Sequence, residues 1–218
     1  MRSAAPSANT RNPSSFRLIS VARKSKLILA SSSPRRAEIL RNAGFDFEVV
    51  PAHADETRRP NEATADYVRR LAEAKARTVA RQLAKDAAGD STFIIAADTV
   101  VVIGDEILGK PSSAANARDM LHRLSGKTHE VYTGLSVLRG NASCTVMEAT
   151  RVTFATLSER EIGDYIATGE PFDKAGAYAI QGQGGKFISR IEGCYFNVMG
   201  LPLARLYAIL RDFKENSK

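Results

Sequence analysis

The sequence LILASSSPRR, at residues 27–36, decides the fold of this chain. Its first four residues are apolar in succession, which predicts a short buried strand. Ser33 is well suited to be the N-cap of a helix, and Pro34 to occupy its first position. The stretch therefore predicts a strand, a tight turn and a helix whose first turn carries two arginines.

The predicted start of this helix is also a candidate phosphate site. Backbone N–H groups at a helix N-terminus favour a bound anion, because they lack partners within the helix and the helix dipole adds positive charge there. Arg35 and Arg36 supply planar donors that match the oxygens of a phosphate. A capped helix with solvated arginines would have the same sequence, so this stretch alone leaves both interpretations open.

Hydrophobic periodicity along the rest of the chain predicts an α/β fold. Helices and strands alternate in the first half, whereas the middle of the chain has the pattern of a β-meander, so we expect a mixed sheet. A glycine-rich segment spans 169–185. The predicted strands are 27–30, 45–50, 93–97, 100–103, 129–138 and 144–155, and a further β segment resumes at 187–188. One predicted helix begins at Pro34, and the others span 62–85, 113–124, 158–167 and 202–213.

The positive charge of the chain is concentrated at its N-terminus. The formal net charge is +7, but residues 1–26 contain six basic side chains and no acidic one, so the remainder carries a net charge of +1. A nearly neutral body gives no general electrostatic reason to bind a nucleic acid. No apolar run approaches the ~20 residues that cross a bilayer. We therefore expect neither a nucleic acid nor a membrane as a partner.

Residues 1–25 are rich in Ser, Ala, Asn, Pro and Arg, and we expect them to form a disordered basic tail. An organelle transit peptide would have a similar composition. The two cysteines lie far apart and neither belongs to a CxxC pair, so the sequence predicts no disulfide framework. A reducing compartment, the cytoplasm, is the expected location.

Asp98 is the strongest single candidate for catalysis. It follows a predicted buried strand, and ligands of open α/β sheets gather at the carboxyl ends of strands. A carboxylate there can bind Mg²⁺ through one oxygen and accept a proton from water. An aspartate that merely caps a turn would have the same sequence context.

Four other polar residues are weaker candidates. Glu56 follows Asp55, and adjacent carboxylates can bind a hard cation, although such a pair also suits a solvated loop. Lys75 lies on a predicted helix, whereas Lys110 lies in a glycine-containing turn whose backbone could approach a phosphate. Gln181 offers both a donor and an acceptor, which suits the edge of a nucleobase as well as a surface position.

Several common motifs are absent from the sequence. Residues 125–128, SGKT, resemble the end of a phosphate-binding P-loop, but Leu121 stands where the first glycine would have to be. Residues 182–184, GQG, resemble the start of a dinucleotide fingerprint, but Phe187 replaces the last glycine. The histidines and cysteines lack the spacing of a zinc site, and no GxSxG motif is present.

Eight short blocks of the sequence, in this order along the chain, together resemble Maf proteins. Any one block is weakly specific, but the set spans about residues 26–213 and is highly specific. The blocks are 29–36 (LASSSPRR), 55–56 (DE), 71–76 (LAEAKA), 97–100 (ADTV), 109–111 (GKP), 128–134 (THEVYTG), 173–182 (DKAGAYAIQG) and 197–203 (NVMGLPL).

The resemblance implies an elongated mixed sheet flanked by helices, as in ITPases, with two lobes around a central cleft. It implies one catalytic domain at 26–214 that cuts nucleoside triphosphates between the α- and β-phosphates with a divalent cation, Mg²⁺ or Mn²⁺. The 173–182 block resembles the branch that acts on dTTP and UTP, and modified pyrimidine nucleotides are further candidate substrates. The resemblance also suggests a homodimer and, as an alternative function, a non-catalytic nucleotide-binding regulator of septum formation.

The family's functional positions can be carried over residue by residue. Asp98 matches the proposed proton acceptor, and Arg36, Thr99 and Gln181 match positions tied to substrate choice. Our hypothesis is that Glu56 and Asp98 bind the divalent cation. The other polar positions of the family's cleft match Ser31, Arg35, Glu56, Lys75 and Lys110.

Overall fold

The computed structural model describes residues 26–84 and 92–215, and the predicted basic tail at 1–25 lies outside the described residues. Its strands are β1 (Leu27–Leu29), β2 (Glu48–Val49), β3 (Phe93–Ile103), β4 (Glu106–Leu108), β5 (Thr128–Arg139), β6 (Ala142–Phe154) and β7 (Ile188–Glu192). Its helices are α1 (Pro34–Asn42), α2 (Thr64–Ala84), α3 (Ala114–Leu124), α4 (Glu159–Ala167), α5 (Tyr195–Met199) and α6 (Leu203–Glu215). Three 3₁₀ helices lie at Glu170–Asp173, Ala175–Ala177 and Gln183–Phe187. No described helix is long and apolar enough to cross a membrane.

The described strands form the mixed sheet that the sequence predicts. β1 runs parallel to both β2 and β3, and its register with β3 pairs Leu29 with Ile95. β3, β5, β6 and β7 are successively antiparallel, which is the predicted meander. The order across the sheet is β2-β1-β3-β5-β6-β7, and β4 pairs with β3.

Successive side chains of β3 point to opposite faces of the sheet, and helices cover both faces. Ile95 packs into an apolar cluster with α1 and α6, whereas Ala96 packs with α2 on the opposite face. Because successive side chains of a strand point to opposite faces, Asp98 lies on the α2 face and Thr99 on the α1 face. One strand thus delivers neighbouring residues to two different helices.

A further apolar cluster forms a second lobe of the described chain. It unites α3, α4 and the adjoining parts of β5 and β6, with Leu121, Phe154 and Ile162 fully or almost fully buried in it. The long strands β3 and β5 run through both lobes and join them. The predicted two-lobed architecture is therefore confirmed.

The cleft opens where β1 ends and β3 continues. β1 pairs with β3 as far as Ile95, and β4 pairs with the same edge only from Val101 onward. The intervening edge, residues 96–100, is left between the two partners. Asp98 and Thr99 lie in this interval, so both reach the cleft although they belong to opposite faces.

The prediction that the strand stops at Asp98 was wrong. Asp98 lies in the middle of the eleven-residue strand β3 and pairs with Gly134 of β5. The strand continues because β5 pairs with it as far as Val102, and tertiary pairing outweighs the poor strand propensity of an aspartate. The strand that ends near Asp98 is its neighbour β1.

Other local predictions were correct to different degrees. β2 contains only two residues of the predicted strand 45–50, and α5 was not predicted. Ser33 occupies the predicted N-cap position, but its hydroxyl makes no capping bond. The capping box at the start of α4 is present, because Ser158 and Glu161 satisfy each other's backbone N–H groups.

Gly134 lets α2 approach the sheet beside Asp98. The two residues are paired in the β3–β5 ladder and therefore lie on the same face. A Cβ on Gly134 would lie 2.1 Å from the carbonyl oxygen of Val68 and 2.8 Å from the amide nitrogen of Arg69, both in α2. Two turns further along this helix, Lys75 reaches Asp98.

We predict that Gly134→Ala destabilises the protein by about 3 kcal/mol, the upper end of the usual range for overpacking, because the atom it would strike belongs to helix backbone. Gly163→Ala in α4 is the matched control, since in the described part of the chain a Cβ there meets only Arg118 Nη2, at 3.8 Å, and alanine favours a helix. Denaturant unfolding measures both free energies. Wild-type stability of Gly134→Ala would contradict the close contact.

Candidate active site

A cavity of about 940 Å³ lies in the cleft between the two lobes. The turn between β1 and α1 lines it from one lobe, and parts of the 173–181 segment line it from the other. The sequence-predicted site residues all line this one cavity, and they are Ser31, Arg35, Arg36, Glu56, Lys75, Asp98, Thr99, Lys110 and Gln181.

Lys75 joins two carboxylates in the cavity. Its ammonium nitrogen Nζ lies 2.5 Å from Asp98 Oδ1 and 2.7 Å from Glu56 Oε1. The side chains of Asp98 and Lys75 are each 12% exposed, whereas that of Glu56 is 61% exposed. The hydrogen bond from Lys75 lowers the pKa of Glu56 below its usual value. Glu56 is therefore ionised at neutral pH.

Asp98 keeps one carboxylate oxygen available to a ligand. Lys75 binds Oδ1, and Oδ2 accepts no hydrogen bond from the described residues. An almost buried carboxylate with such an oxygen can accept a proton from water or bind a hard cation. The geometry thus supports both of the roles that the sequence suggests for this residue.

The loop that carries Glu56 is tied to α2. The hydroxyl of Tyr67 donates to the carbonyl oxygen of Glu56 at 2.7 Å. Arg70 binds the Glu62 carboxylate through two nitrogens, at 2.6 and 2.8 Å, and also donates to the carbonyl oxygen of Thr57 at 3.0 Å. These contacts fix the backbone around the exposed side chain of Glu56, and no pattern in the sequence predicted them.

Three uncharged oxygens hold the guanidinium of Arg36. Its Nε donates to the carbonyl oxygen of Gly200 at 2.7 Å, Nη1 to Ser31 Oγ at 3.1 Å and Nη2 to Thr99 Oγ1 at 3.1 Å. Burial lowers the pKa of this group, but an arginine stays protonated in a protein. A positive charge is therefore held beside the cavity by neutral partners, an arrangement that favours a bound anion.

A chain of hydroxyl groups orients Thr99, which accepts a hydrogen bond from Arg36. Thr99 Oγ1 and Thr133 Oγ1 share a 2.9 Å hydrogen bond, and Thr133 Oγ1 donates to the carbonyl oxygen of Asn197 at 3.1 Å. The buried amide of Asn197 donates in turn to the carbonyl oxygen of Val131. Thr133 and Asn197 lie within the family-like blocks of the sequence, but no local pattern predicted a role for either of them.

The N-terminus of α1 faces the same cavity without a side-chain cap. The Ser33 hydroxyl makes no capping bond, and Pro34 has no N–H group to offer. The N–H groups that follow in the first turn have no acceptor within the helix. They complement Arg35 and Arg36, which leave the same turn, as donors for an anion.

Arg35 spans the cleft to the first 3₁₀ helix. Its Nη1 lies 3.2 Å from Asp173 Oδ2, and Asp173 also pairs with Lys174. The two ends of the Arg35–Asp173 pair are 138 residues apart in sequence, which no local pattern could predict. A phosphate oxygen that entered the cavity would compete with the Asp173 carboxylate for these cations.

Lys110 and Gln181 line the cavity from the second lobe. Neither side chain makes a hydrogen bond with the described residues, so the Gln181 amide can both donate to a ligand and accept from it. The turn that carries Lys110 is held by the N–H of Gly176, which donates to the carbonyl oxygen of Gly109 at 3.0 Å.

Positive charge exceeds negative charge around the cavity. Of the described residues, five cationic and three acidic side chains line it, which leaves an excess of two positive charges and suits a small polyanion. The cations are Arg35, Arg36, Lys75, Lys110 and Lys174, and the acids are Glu56, Asp98 and Asp173.

The carboxylates fit a divalent cation that shares its ligands with a substrate. Within residues 26–84 and 92–215, no group of three or more His, Cys, Asp and Glu side chains could hold a metal ion. Glu56 and Asp98 nevertheless converge on a single ammonium. Mg²⁺ is commonly held by one or two carboxylates together with water and substrate phosphates, so this donor set is sufficient.

Comparison with known proteins gives a consistent set of relatives. The family model described as Maf-like protein matches residues 26–213. A dTTP/UTP pyrophosphatase of Koribacter versatilis (strain Ellin345) is 50% identical over 185 residues, which cover 85% of this chain and 93% of the relative. A dTTP/UTP pyrophosphatase of Citrifermentans bemidjiense is 49% identical over 191 residues, which cover 87% and 96%. Among solved structures, the Staphylococcus aureus Ham1 protein matches 88% of this chain and 100% of its own, with 14% identity and a TM-score of 0.45.

Proposed function

The chain belongs to the Maf-like protein family, and on that premise we propose that it hydrolyses dTTP and UTP to the nucleoside monophosphate and pyrophosphate. One juxtaposition carries the proposal. Arg36, which has no carboxylate partner among the described residues, and Asp98, whose Oδ2 accepts no hydrogen bond from them, line the same cavity. A polyanion held by Arg36 could present an electrophilic phosphorus to a water molecule beside Asp98.

The basic groups of the cavity bind the triphosphate. Arg36 and the N–H groups at the start of α1 hold phosphate oxygens, and Arg35 joins them when a phosphate displaces Asp173. Arginine suits this role because its planar donors match two phosphate oxygens at once. Lys110 supplies a further cation from the opposite lobe.

Asp98 serves as the general base. The Asp98 carboxylate accepts a proton from a water molecule while the oxygen of that water forms a bond to the α-phosphorus. The bond between the α-phosphorus and the bridging oxygen breaks, and pyrophosphate leaves with the bonding electron pair. The basic side chains stabilise the negative charge that accumulates on the leaving group.

Glu56 and Asp98 would hold the divalent cation, Mg²⁺ or Mn²⁺. When bound, such a cation neutralises phosphate charge and polarises the phosphoryl oxygens. Lys75 keeps both carboxylates in place, and its hydrogen bond to Glu56 lowers the pKa of that side chain. Both acids are therefore held as oxygen donors on the same side of the cavity.

Gln181 reads the base. The edge of uracil or thymine offers O4 as an acceptor and N3–H as a donor, and one amide can pair with both. Gln181 is exposed in the cavity wall and makes no hydrogen bond with the described residues, which leaves both of its groups for a ligand.

The remaining sequence-based expectations become part of this proposal. Residues 26–214 form the catalytic domain, and modified pyrimidine triphosphates are further substrates. The expected homodimer, the expected lack of nucleic-acid or membrane partners, and the expected cytoplasmic location stay predictions.

A panel of ribo- and deoxyribonucleoside triphosphates tests the activity directly. We expect dTTP and UTP to be hydrolysed fastest, with one pyrophosphate released per monophosphate, and we expect a chelator to abolish turnover. In heavy-oxygen water the label should enter the monophosphate, because water attacks the α-phosphorus. Release of orthophosphate would contradict the proposal, and nucleotide binding without hydrolysis would favour the alternative of a non-catalytic regulator.

Asp98→Asn keeps the size of the side chain but removes the base. We predict that turnover falls by about 10²- to 10⁴-fold, the range for loss of a general base. Asp105→Asn, in the exposed turn between β3 and β4, is the matched control and should retain turnover. Near-normal turnover of Asp98→Asn would refute the assignment.

Gln181→Ala removes the group that reads the base. We predict that the ratio of kcat/KM for dTTP to that for dGTP falls about tenfold, because a bidentate amide–base pair contributes about 1–3 kcal/mol of discrimination. Inhibition by inorganic tripolyphosphate should stay within about twofold of wild type. Gln82→Ala on the exposed face of α2 is the control. An equal loss with every nucleotide would contradict base reading by Gln181.

A further inference from the structure

The carboxylate of Glu170 organises the backbone next to Gln181. Its Oε2 accepts from the N–H of Gln183 at 2.9 Å, and its Oε1 accepts from the N–H of Gly184 at 3.1 Å. Oε1 also accepts from the hydroxyl of Tyr165 at 2.8 Å. One side chain therefore satisfies two backbone donors that lie just beyond the proposed base-reading residue.

Tyr165 holds the other side of the same segment. Its hydroxyl accepts from the N–H of Ala179 at 3.3 Å while it donates to Glu170. The ring is buried in the second lobe and packs edge-on against Phe187, with a centroid distance of 5.2 Å. Glu170 and Tyr165 thus fasten the backbone both before and after Gln181 to a rigid core.

Two glycines of this segment allow its backbone to lie close to Glu170 and Tyr165. A Cβ on Gly182 would lie 2.5 Å from both carboxylate oxygens of Glu170. A Cβ on Gly184 would lie 2.6 Å from the hydroxyl of Tyr165. Neither glycine has a positive φ, so the requirement is for space rather than for an unusual backbone conformation.

We propose that Glu170 is a positioning residue for base selectivity, which acts by fixing the backbone that carries Gln181. The inference rests on the proposed role of Gln181 and assigns a second residue to the same recognition. An exposed side chain on a glycine-rich segment can discriminate between bases only if its backbone is held in place, because a mobile amide could adapt to any base edge.

The charge of Glu170 suits this role. Burial tends to raise the pKa of its carboxyl group, but the N–H groups of Gln183 and Gly184 and the Tyr165 hydroxyl together hold the pKa below its usual value. An ionised carboxylate is an acceptor only, with enough lone pairs for all three donors. An amide in its place would set an NH₂ group against at least one of these donors.

Glu170→Gln therefore tests the proposal with almost no change of shape. We expect the ratio of kcat/KM for dTTP to that for dGTP to fall about three- to tenfold, part of the effect of losing the amide itself. The inhibition constant of inorganic tripolyphosphate should stay within about twofold, since the proposed phosphate-binding groups at the start of α1 are untouched. Glu159→Gln, an exposed glutamate at the start of α4, is the matched control.

A double variant separates positioning from general loosening. In the Gln181→Ala background, Glu170→Gln should cause no further loss of base preference, because it acts through that amide. Additive effects of the two substitutions, or a folded Glu170→Gln protein with wild-type base preference, would overturn the inference while leaving the proposed activity standing. Parallel losses for dTTP, dGTP and tripolyphosphate would indicate a merely structural role and would also overturn it.

Gly182→Ala provides a second variant should Glu170→Gln fail to fold. The added methyl must push the segment away from Glu170 and should lower the same ratio, whereas Gly163→Ala should not. If the wild-type protein hydrolyses no nucleotide, calorimetric binding of UTP and GTP supplies the ratio instead. A wild-type protein without base preference in either assay would overturn this inference together with the role of Gln181.

Discussion

The ammonium of Lys75, held between two carboxylates, is the interaction on which the cavity depends. Asp98 belongs to a central strand and Glu56 to a loop, and without a cation between them their like charges would repel. A lysine with so little exposure is stabilised only when it is paired. Its reach depends on how closely α2 approaches the sheet, and Gly134 allows that approach. Because Gly134 of β5 has no side chain, α2 lies close enough to the sheet for Lys75 to pair with Asp98.

Two adjacent residues of β3, Asp98 and Thr99, bind cationic side chains on opposite faces of the sheet. Asp98 faces α2 and binds Lys75, whereas Thr99 faces α1 and binds Arg36. In a fully paired sheet such neighbours would be separated by the strand itself. Here β1 stops before this point and β4 begins beyond it, so both side chains reach one cavity. The open interval of strand edge is what lets an acid and an arginine line one cavity.

The sequence predicts the elements of the fold well and their mutual arrangement less well. The start of α1 and the capping box of α4 depend on residues a few positions apart, which a local pattern can reveal. The place of Asp98 in the open interval of the β3 edge depends on where β1 and β4 stop pairing with β3, and a local pattern in residues 93–103 does not reveal that. The candidate site residues were predicted from eight separate blocks taken together, whereas the contacts that orient them, such as the pair between Arg35 and Asp173, join distant parts of the chain.

The glycine-rich segment resolves an ambiguity that its sequence leaves open. A short run of glycines can serve a tight turn, a phosphate loop or a close packing contact, and GQG at 182–184 suggested a dinucleotide motif that its context did not complete. In the folded chain Gly182 and Gly184 lie against the carboxylate of Glu170 and the hydroxyl of Tyr165. Their small size lets the backbone lie against these two polar groups of the second lobe. The groups at the start of α1 that are proposed to bind phosphate belong to the other lobe. Because β3 and β5 run through both lobes, the sheet itself sets the distance between the group that would read the base and the groups that would hold the phosphates.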